Sequence, residues 1–192
     1  MLQLKIAQTD RVPGNSRLAD KKTTVFYSHF YSPIGKIYIA VIDNLICNIT
    51  IGKDSERRFI KYFSSFPFVR LSYSAKLTAG YSSVILKYLK KGNAPQFKSL
   101  CILKATDFEI AVWKAVLKIP YGETTTYQSI AKKLGSPSLS RAVGNALGKN
   151  PIPLIIPCHR IIKSNGDLGG FTGGKEIKER LLTLEKKTNQ KL

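Results

Sequence analysis

The segment from Asn150 to Arg160 constrains this chain more than any other stretch. It reads Asn-Pro-Ile-Pro-Leu-Ile-Ile-Pro-Cys-His-Arg, with Pro151, Pro153 and Pro157 inside seven residues. Each proline lacks a backbone donor and fixes its own φ, so neither a helix nor a central strand accommodates the run. The residue before each proline is pushed toward extended conformations. The apolar side chains between the prolines still demand burial. The sequence thus predicts a stiff, extended segment threaded through a core, with Asn150 tying its side chain back onto a nearby backbone amide.

Cys158 ends that segment, directly before His159 and Arg160. A thiol attacks as thiolate, and a neighbouring cation or imidazole makes the thiolate accessible. Cys158 is therefore a candidate nucleophile. A buried, inert cysteine is the alternative, and the pattern alone does not choose between them. Neighbouring side chains on an extended chain point to opposite sides, which argues against a direct Cys158–His159 hydrogen bond and calls for a bridging water or a curled backbone.

The flanking sequence is helical. Thr106 with Glu109 three residues on reads as a capping box. Phe108, Ala111, Val112, Ala115 and Val116 follow at the spacing of one buried helical face, and Ile119-Pro120-Tyr121-Gly122 stops the helix. Tyr127, Ile130, Ala131 and Leu134 mark a second helix, which Gly135 ends. Ser136 and Pro137 suit the start of a third, with Leu139, Ala142, Val143, Ala146 and Leu147 on its buried face. Two helices joined by a short turn containing Gly form the helix-turn-helix pattern. Ser140, Arg141, Asn145 and Lys149 fall on other sides of the third helix, placed for phosphates or bases, or simply for solvent. Gly144 and Gly148 suggest close approach of another backbone. Phe171-Thr172-Gly173-Gly174 offers an aromatic pocket wall beside flexible backbone. A last helix, 175–187, carries Ile177, Leu181, Leu182 and Leu184. Glu185 near its end either orients His159 or is an ordinary surface carboxylate.

The first half is different. Residues 1–22 lack periodicity and read as a loosely ordered lead-in. β-rich runs from Thr24 to Ile51, broken at Ser32-Pro33-Ile34-Gly35 and Asp43-Asn44, predict an antiparallel meander. Helical patterns follow at 55–63 and 75–90. The expected fold class is α+β. An N-terminal antiparallel sheet with flanking helices (23–91) is joined by a linker (92–105) to a mainly helical, winged-helix-like domain (106–192). Cys47, Cys101 and Cys158 are widely spaced and the only histidines are His29 and His159, so no disulfide framework and no metal site is expected. A reducing, intracellular setting, taken as cytoplasmic, fits free thiols. No apolar run nears the ~18 residues of a membrane span, and no secretory leader is expected. Lys and Arg number 31 against 12 Asp and Glu, a net charge of +19 that points to nucleic acid as partner.

At Pro157-Cys158-His159-Arg160 the sequence resembles the O6-alkylguanine-DNA alkyltransferases. The likeness extends from about Phe108 to Glu185 through Tyr121-Gly122-Glu123, Thr126-Tyr127, Ser140-Arg141-Ala142-Val143-Gly144 and Asn150-Pro151. The first half is matched loosely, at Ser32-Pro33-Ile34-Gly35 and the strands after it. The resemblance implies a monomeric, cofactor-free repair protein that flips O6-alkylguanine, and O4-alkylthymine, out of duplex DNA. The alkyl group passes irreversibly to Cys158, once per molecule. It further implies that His159 takes the thiol proton through a water, that Glu185 orients His159, and that Tyr127 donates a proton to the departing base. Arg141 would fill the gap in the stack, Ser140, Ala142, Gly144 and Asn145 would meet the minor groove, and Asn150 would order the turn beneath the site. Tyr127, Phe171, Thr172 and Gly173 would line the base pocket, with Phe171 standing where a tyrosine is expected. Two other readings remain open on the sequence: a non-catalytic damage sensor, and a cysteine hydrolase using Cys158 and His159.

Overall fold

The computed structural model describes residues 3–6, 23–92 and 94–189. Its centre is a six-stranded sheet of β1 (Gln3–Ile6), β2 (Thr23–Ser32), β3 (Gly35–Ile42), β4 (Leu45–Thr50), β5 (Val69–Tyr73) and β6 (Ser99–Ile102). The spatial order is β1-β6-β4-β3-β2-β5. The expected meander is present, since β2, β3 and β4 pair antiparallel in succession. Asp43 and Asn44 turn β3 into β4 with φ of 48° and 58°, the left-handed region that Asn and Asp tolerate. The sheet is nonetheless mixed. β5 lies parallel to β2, and β6 lies parallel to both β4 and β1.

Two expected boundaries shift for that reason. The segment read as linker contributes β6, whose Leu100 and Ile102 are fully buried. The lead-in contributes β1 through backbone pairing with β6; residues 7–22 lie outside the described residues. Such short strands carry too few residues to show a period, and only long-range pairing makes them visible.

Alternation along β3 splits the core. Ile37, Ile39 and Val41 face one side, while Tyr38, Ala40 and Ile42 face the other. Helix α1 (Ser55–Ser64) covers the second side with Phe59 and Phe63. Helix α2 (Ala75–Lys91), capped by Ser74 and ended by Gly92 at φ 76°, lies on the first side. The helical half packs on that side as well, through α3 (Asp107–Val116), α4 (Tyr127–Lys133), α5 (Ser140–Gly148) and α6 (Lys175–Asn189).

The Thr106 capping box forms with both of its hydrogen bonds. The buried side of α3 is wider than the periodicity suggested: Ile110 and Trp113 are buried, whereas Ala111 and Ala115 are half-buried. The Trp113 indole donates to the Ala146 carbonyl at 3.0 Å, fastening α3 to α5. Helices α4 and α5 pack on each other across a turn in which Gly135 has φ 114°. Ser136 caps a short 3₁₀ turn, Pro137–Leu139, that leads into α5. No helix among the described residues is long and apolar enough to cross a membrane.

Candidate active site

Residues 150–161 are all buried, as the apolar run required, but they are not extended. The Ile156 amide donates to Ile152 O at 3.0 Å, and Leu154 takes a left-handed φ of 75°. Pro157 closes an inverse γ-turn, in which the Cys158 amide donates to Ile156 O at 2.8 Å. Cys158–Arg160 then forms one 3₁₀ turn. A fixed proline φ serves a turn as well as an extended strand, and the buried amides here find partners by folding back on themselves. Asn150 sets that fold: Oδ1 accepts from the Ile152 amide at 3.0 Å, and Nδ2 donates to Ile156 O at 2.9 Å.

The same Nδ2 donates to Cys158 Sγ at 3.2 Å. Cys158 is 5% exposed and forms the floor of a cleft of about 270 Å³. Tyr127, Gly144, Gly148, Gly170, Phe171 and Thr172 line it. Gly173, expected in that wall, is instead buried behind it against Ile51. Gly144 puts no side chain between α5 and the Tyr127 ring, and a Cβ on Gly169 would meet the Tyr127 hydroxyl at 2.9 Å. The Tyr127 hydroxyl points along the wall, with Gly170 O as acceptor at 3.5 Å. Partial burial, then the nearby Cys158, raises its pKa, so it stays a neutral donor.

Burial pushes the Cys158 thiol up to about 11, against the opposing pull of Asn150 and Lys178. No hydrogen bond among the described residues joins the His159 and Cys158 side chains, and the His159 ring stands edge-on to Phe171 of the cleft wall, 6.2 Å between centroids. His159 Nε2 meets Glu185 Oε1 at 3.0 Å, while Nδ1 is buried without a partner among the described residues. A carboxylate only accepts, so Nε2 carries the proton and Nδ1 the lone pair. Burial also lowers the His159 pKa, which keeps the ring neutral, although Glu185 opposes that shift.

Glu185 is 1% exposed and is no surface carboxylate. Tyr88 and Arg160 Nη2 donate to its Oε1 at 2.7 and 2.9 Å, and Arg160 Nε and the Gly122 amide to Oε2 at 2.8 and 3.2 Å. Burial raises its pKa, but His159 and Arg160 outweigh that and hold it at about 2.

Several of these residues escaped the sequence reading. Tyr88 reaches the site from α2, in the other half of the chain. Arg58 on α1 donates to Thr172 O and Ile51 O, tying the cleft wall to the sheet unit. Gly52 lies so close to Gly173 that a side chain there would collide with the Gly173 carbonyl. No spacing signals such contacts. Lys178 was legible in principle: Lys178, Leu181, Leu182 and Glu185 fall at i, i+3, i+4 and i+7, one face of α6. The outer side of α5 exposes Arg141 and Asn145, while Ser140 and Ala142 are half-buried. Lys149 Nζ is committed to Glu109 Oε1 at 2.7 Å, so it is less available to a phosphate than expected.

Residues 107–187 match the model of the 6-O-methylguanine DNA methyltransferase DNA-binding domain. The methylated-DNA–protein-cysteine methyltransferase of Methanosarcina acetivorans is 37% identical over 164 residues, covering 84% of this chain and 98% of that protein. The crystal structure of the Mycobacterium tuberculosis O6-methylguanine methyltransferase superposes with a TM-score of 0.72 at 35% identity, covering 85% of this chain and 94% of that one. The same mycobacterial protein in complex with DNA gives 0.70 at 35% identity, again over 85% and 94%. Fold and site define a DNA-repair transferase that works through a cysteine. The chain belongs to the methylated-DNA–protein-cysteine methyltransferases, which repair DNA by moving an alkyl group onto a cysteine of their own.

Proposed function

We propose that Cys158 is the alkyl acceptor, and that the substrate is O6-alkylguanine, with O4-alkylthymine as a second substrate, flipped from duplex DNA into the cleft above it. The observation that carries this reading is the position of Cys158. It is the thiol on the cleft floor, its sulfur already held by Asn150. The thiolate attacks the alkyl carbon, an S–C bond forms, and the C–O6 bond breaks. The electron pair goes to the guanine oxygen, and the neutral Tyr127 phenol supplies a proton to the leaving base. His159 Nδ1 is the acceptor for the thiol proton, through a water, with Glu185 fixing the tautomer from the far side. No group reverses the S–C bond, so each chain acts once, as a monomer.

Helices α4 and α5 serve as a helix-turn-helix at the minor groove. Arg141 is exposed near the start of α5 and is the side chain that replaces the flipped base, offsetting part of the unstacking cost of a few kcal/mol. Ser140, Ala142, Gly144 and Asn145 form the groove-facing surface, and Phe171 stacks on the base. Residues 106–192 carry DNA binding and chemistry, and residues 23–91 brace the cleft through Arg58 and Tyr88. A thiol acceptor must stay reduced, which suits the interior of the cell.

The test is stoichiometric transfer from duplex DNA bearing labelled O6-methylguanine. Label should plateau near one per chain and map to the Cys158 peptide. Continued turnover, label on another residue, or binding without transfer overturns the reading.

A further inference from the structure

We infer that Lys178 is a positioning residue whose buried ammonium supplies the counter-charge for the Cys158 thiolate and holds the two backbone strands that frame it. This rests on Cys158 being the acceptor. Lys178 is 0% exposed and has no carboxylate partner among the described residues. Its Nζ donates to Ile161 O at 2.5 Å and to Gly170 O at 3.3 Å. Ile161 directly follows the 3₁₀ turn that carries Cys158, and Gly170 belongs to the cleft wall. One side chain therefore pins the floor of the cleft to its rim.

A buried lysine without an acidic partner is costly, and carbonyl dipoles offset only part of that cost. Its neighbours explain why it is tolerated. Glu185 is already saturated by His159, Arg160, Tyr88 and Gly122. Tyr127 is neutral until it gives its proton to the leaving base. The group that must carry negative charge before the sulfur attacks is Cys158, and the Cys158 and Lys178 side chains interact electrostatically. The site needs such a counter-charge. Burial holds the thiol near 11 even with Lys178 beside it and lowers the neutral His159, so removing the ammonium leaves proton transfer to His159 further uphill. Burial lowers Lys178 to about 8, so the ammonium is present at neutral pH and is lost as pH rises through that value.

The experiment compares wild type with Lys178→Met and Lys178→Arg, all confirmed folded by thermal melting. It follows iodoacetamide labelling of the Cys158 peptide against pH without DNA, together with the rate of methyl transfer. Lys178→Met should label Cys158 at least about tenfold more slowly at neutral pH, a shift of one unit or more in thiolate formation. The gap should narrow above pH 8 as the wild-type lysine discharges. Lys178→Arg, which keeps its charge, should retain labelling above that pH. Superimposed profiles for folded Lys178→Met and wild type overturn the inference. If neither variant folds, the wild-type curve decides: coupled titration gives a broad rise beginning near pH 8, and a single ideal step near 11 overturns it. Labelling needs no alkylated DNA, so failure of Cys158 as acceptor appears separately, as wild type that labels normally yet transfers nothing.

Discussion

Two buried cysteines in this molecule show what burial does and does not accomplish. Cys47 sits on β4 in the core beneath α1, among Tyr38, Phe59 and Phe63. Cys158 sits in the other core, at the meeting of α3, α6 and the proline-rich turn. Both are shielded from solvent, and in both burial drives the thiol pKa upward. They differ in their neighbours. The further influences on Cys47 are Cys101, which raises it again, and a backbone hydrogen bond. Around Cys158 stand an amide donor, an imidazole, a carboxylate with its arginine, and an ammonium. Burial makes a cysteine inert by default; reactivity comes from polar groups placed at the cost of desolvating each of them.

Substitution separates the two sites most sharply. Cys158→Ala should reduce methyl transfer to background while leaving DNA binding intact. Cys47→Ala should transfer one methyl group per chain as wild type does and lose about 1–2 kcal/mol of stability to the cavity. Labelled-DNA stoichiometry and urea denaturation check the pair. Transfer by Cys158→Ala, or its loss in folded Cys47→Ala, would reverse the assignment.

Glu185→Gln tests the polar network that distinguishes the sites. It leaves Arg160 buried without a counter-charge, so the fold should lose about 3–5 kcal/mol in urea melts. The wild type carries a pH signature of the same network. The Glu185 carboxyl is held below its unfolded value of 4.5, at about 2. Its contribution is therefore complete above pH 4.5 and is lost as pH falls toward 2. Stability of Glu185→Gln should be flatter across that window; equal slopes would remove Glu185 from the account.

How much of this was legible in the sequence depended on the range of the interaction. Local chemistry read correctly: the Thr106 box, the Gly135 stop and the Asn150 side-chain tie are decided within a few residues. The α+β class and the meander followed from alternation. The proline run misled because proline fixes φ while the fold chooses ψ, and hydrogen bonds from Asn150 chose turns. The parallel strands β1, β5 and β6 and the reach of Tyr88 and Arg58 into the site depend on partners 40 to 110 or so residues away, roughly the scale at which periodicity carries no information. Cys158 stood out by its motif, whereas its difference from Cys47 is entirely tertiary.

Arg58 makes the coupling between the two cores measurable. Arg58→Met keeps the apolar stem over α1 and removes the donors to Thr172 O and Ile51 O. The loss should be about 1–2 kcal/mol of stability. Transfer should slow by roughly tenfold, because the wall bearing Phe171 loses its anchor. Single-turnover kinetics at saturating protein check the rate, and an unchanged rate would mean that the wall stands without the sheet unit.

The smallest effect belongs to a site remote from both thiols. Thr106→Ala removes the side chain that accepts from the Glu109 amide at 3.2 Å, and leaves Glu109 with Lys149 and the Thr106 amide as partners. About 1 kcal/mol of stability should go, the ordinary worth of an N-cap. Methyl transfer should be unchanged, because α3 meets the site through packing and through Ile119 O in the segment after its C-terminus, rather than through its N-terminus. A fall in transfer larger than the stability loss explains would show that α3 transmits strain to the Arg160–Glu185 pair. The polar network around Cys158 would then extend one helix further than its hydrogen bonds do.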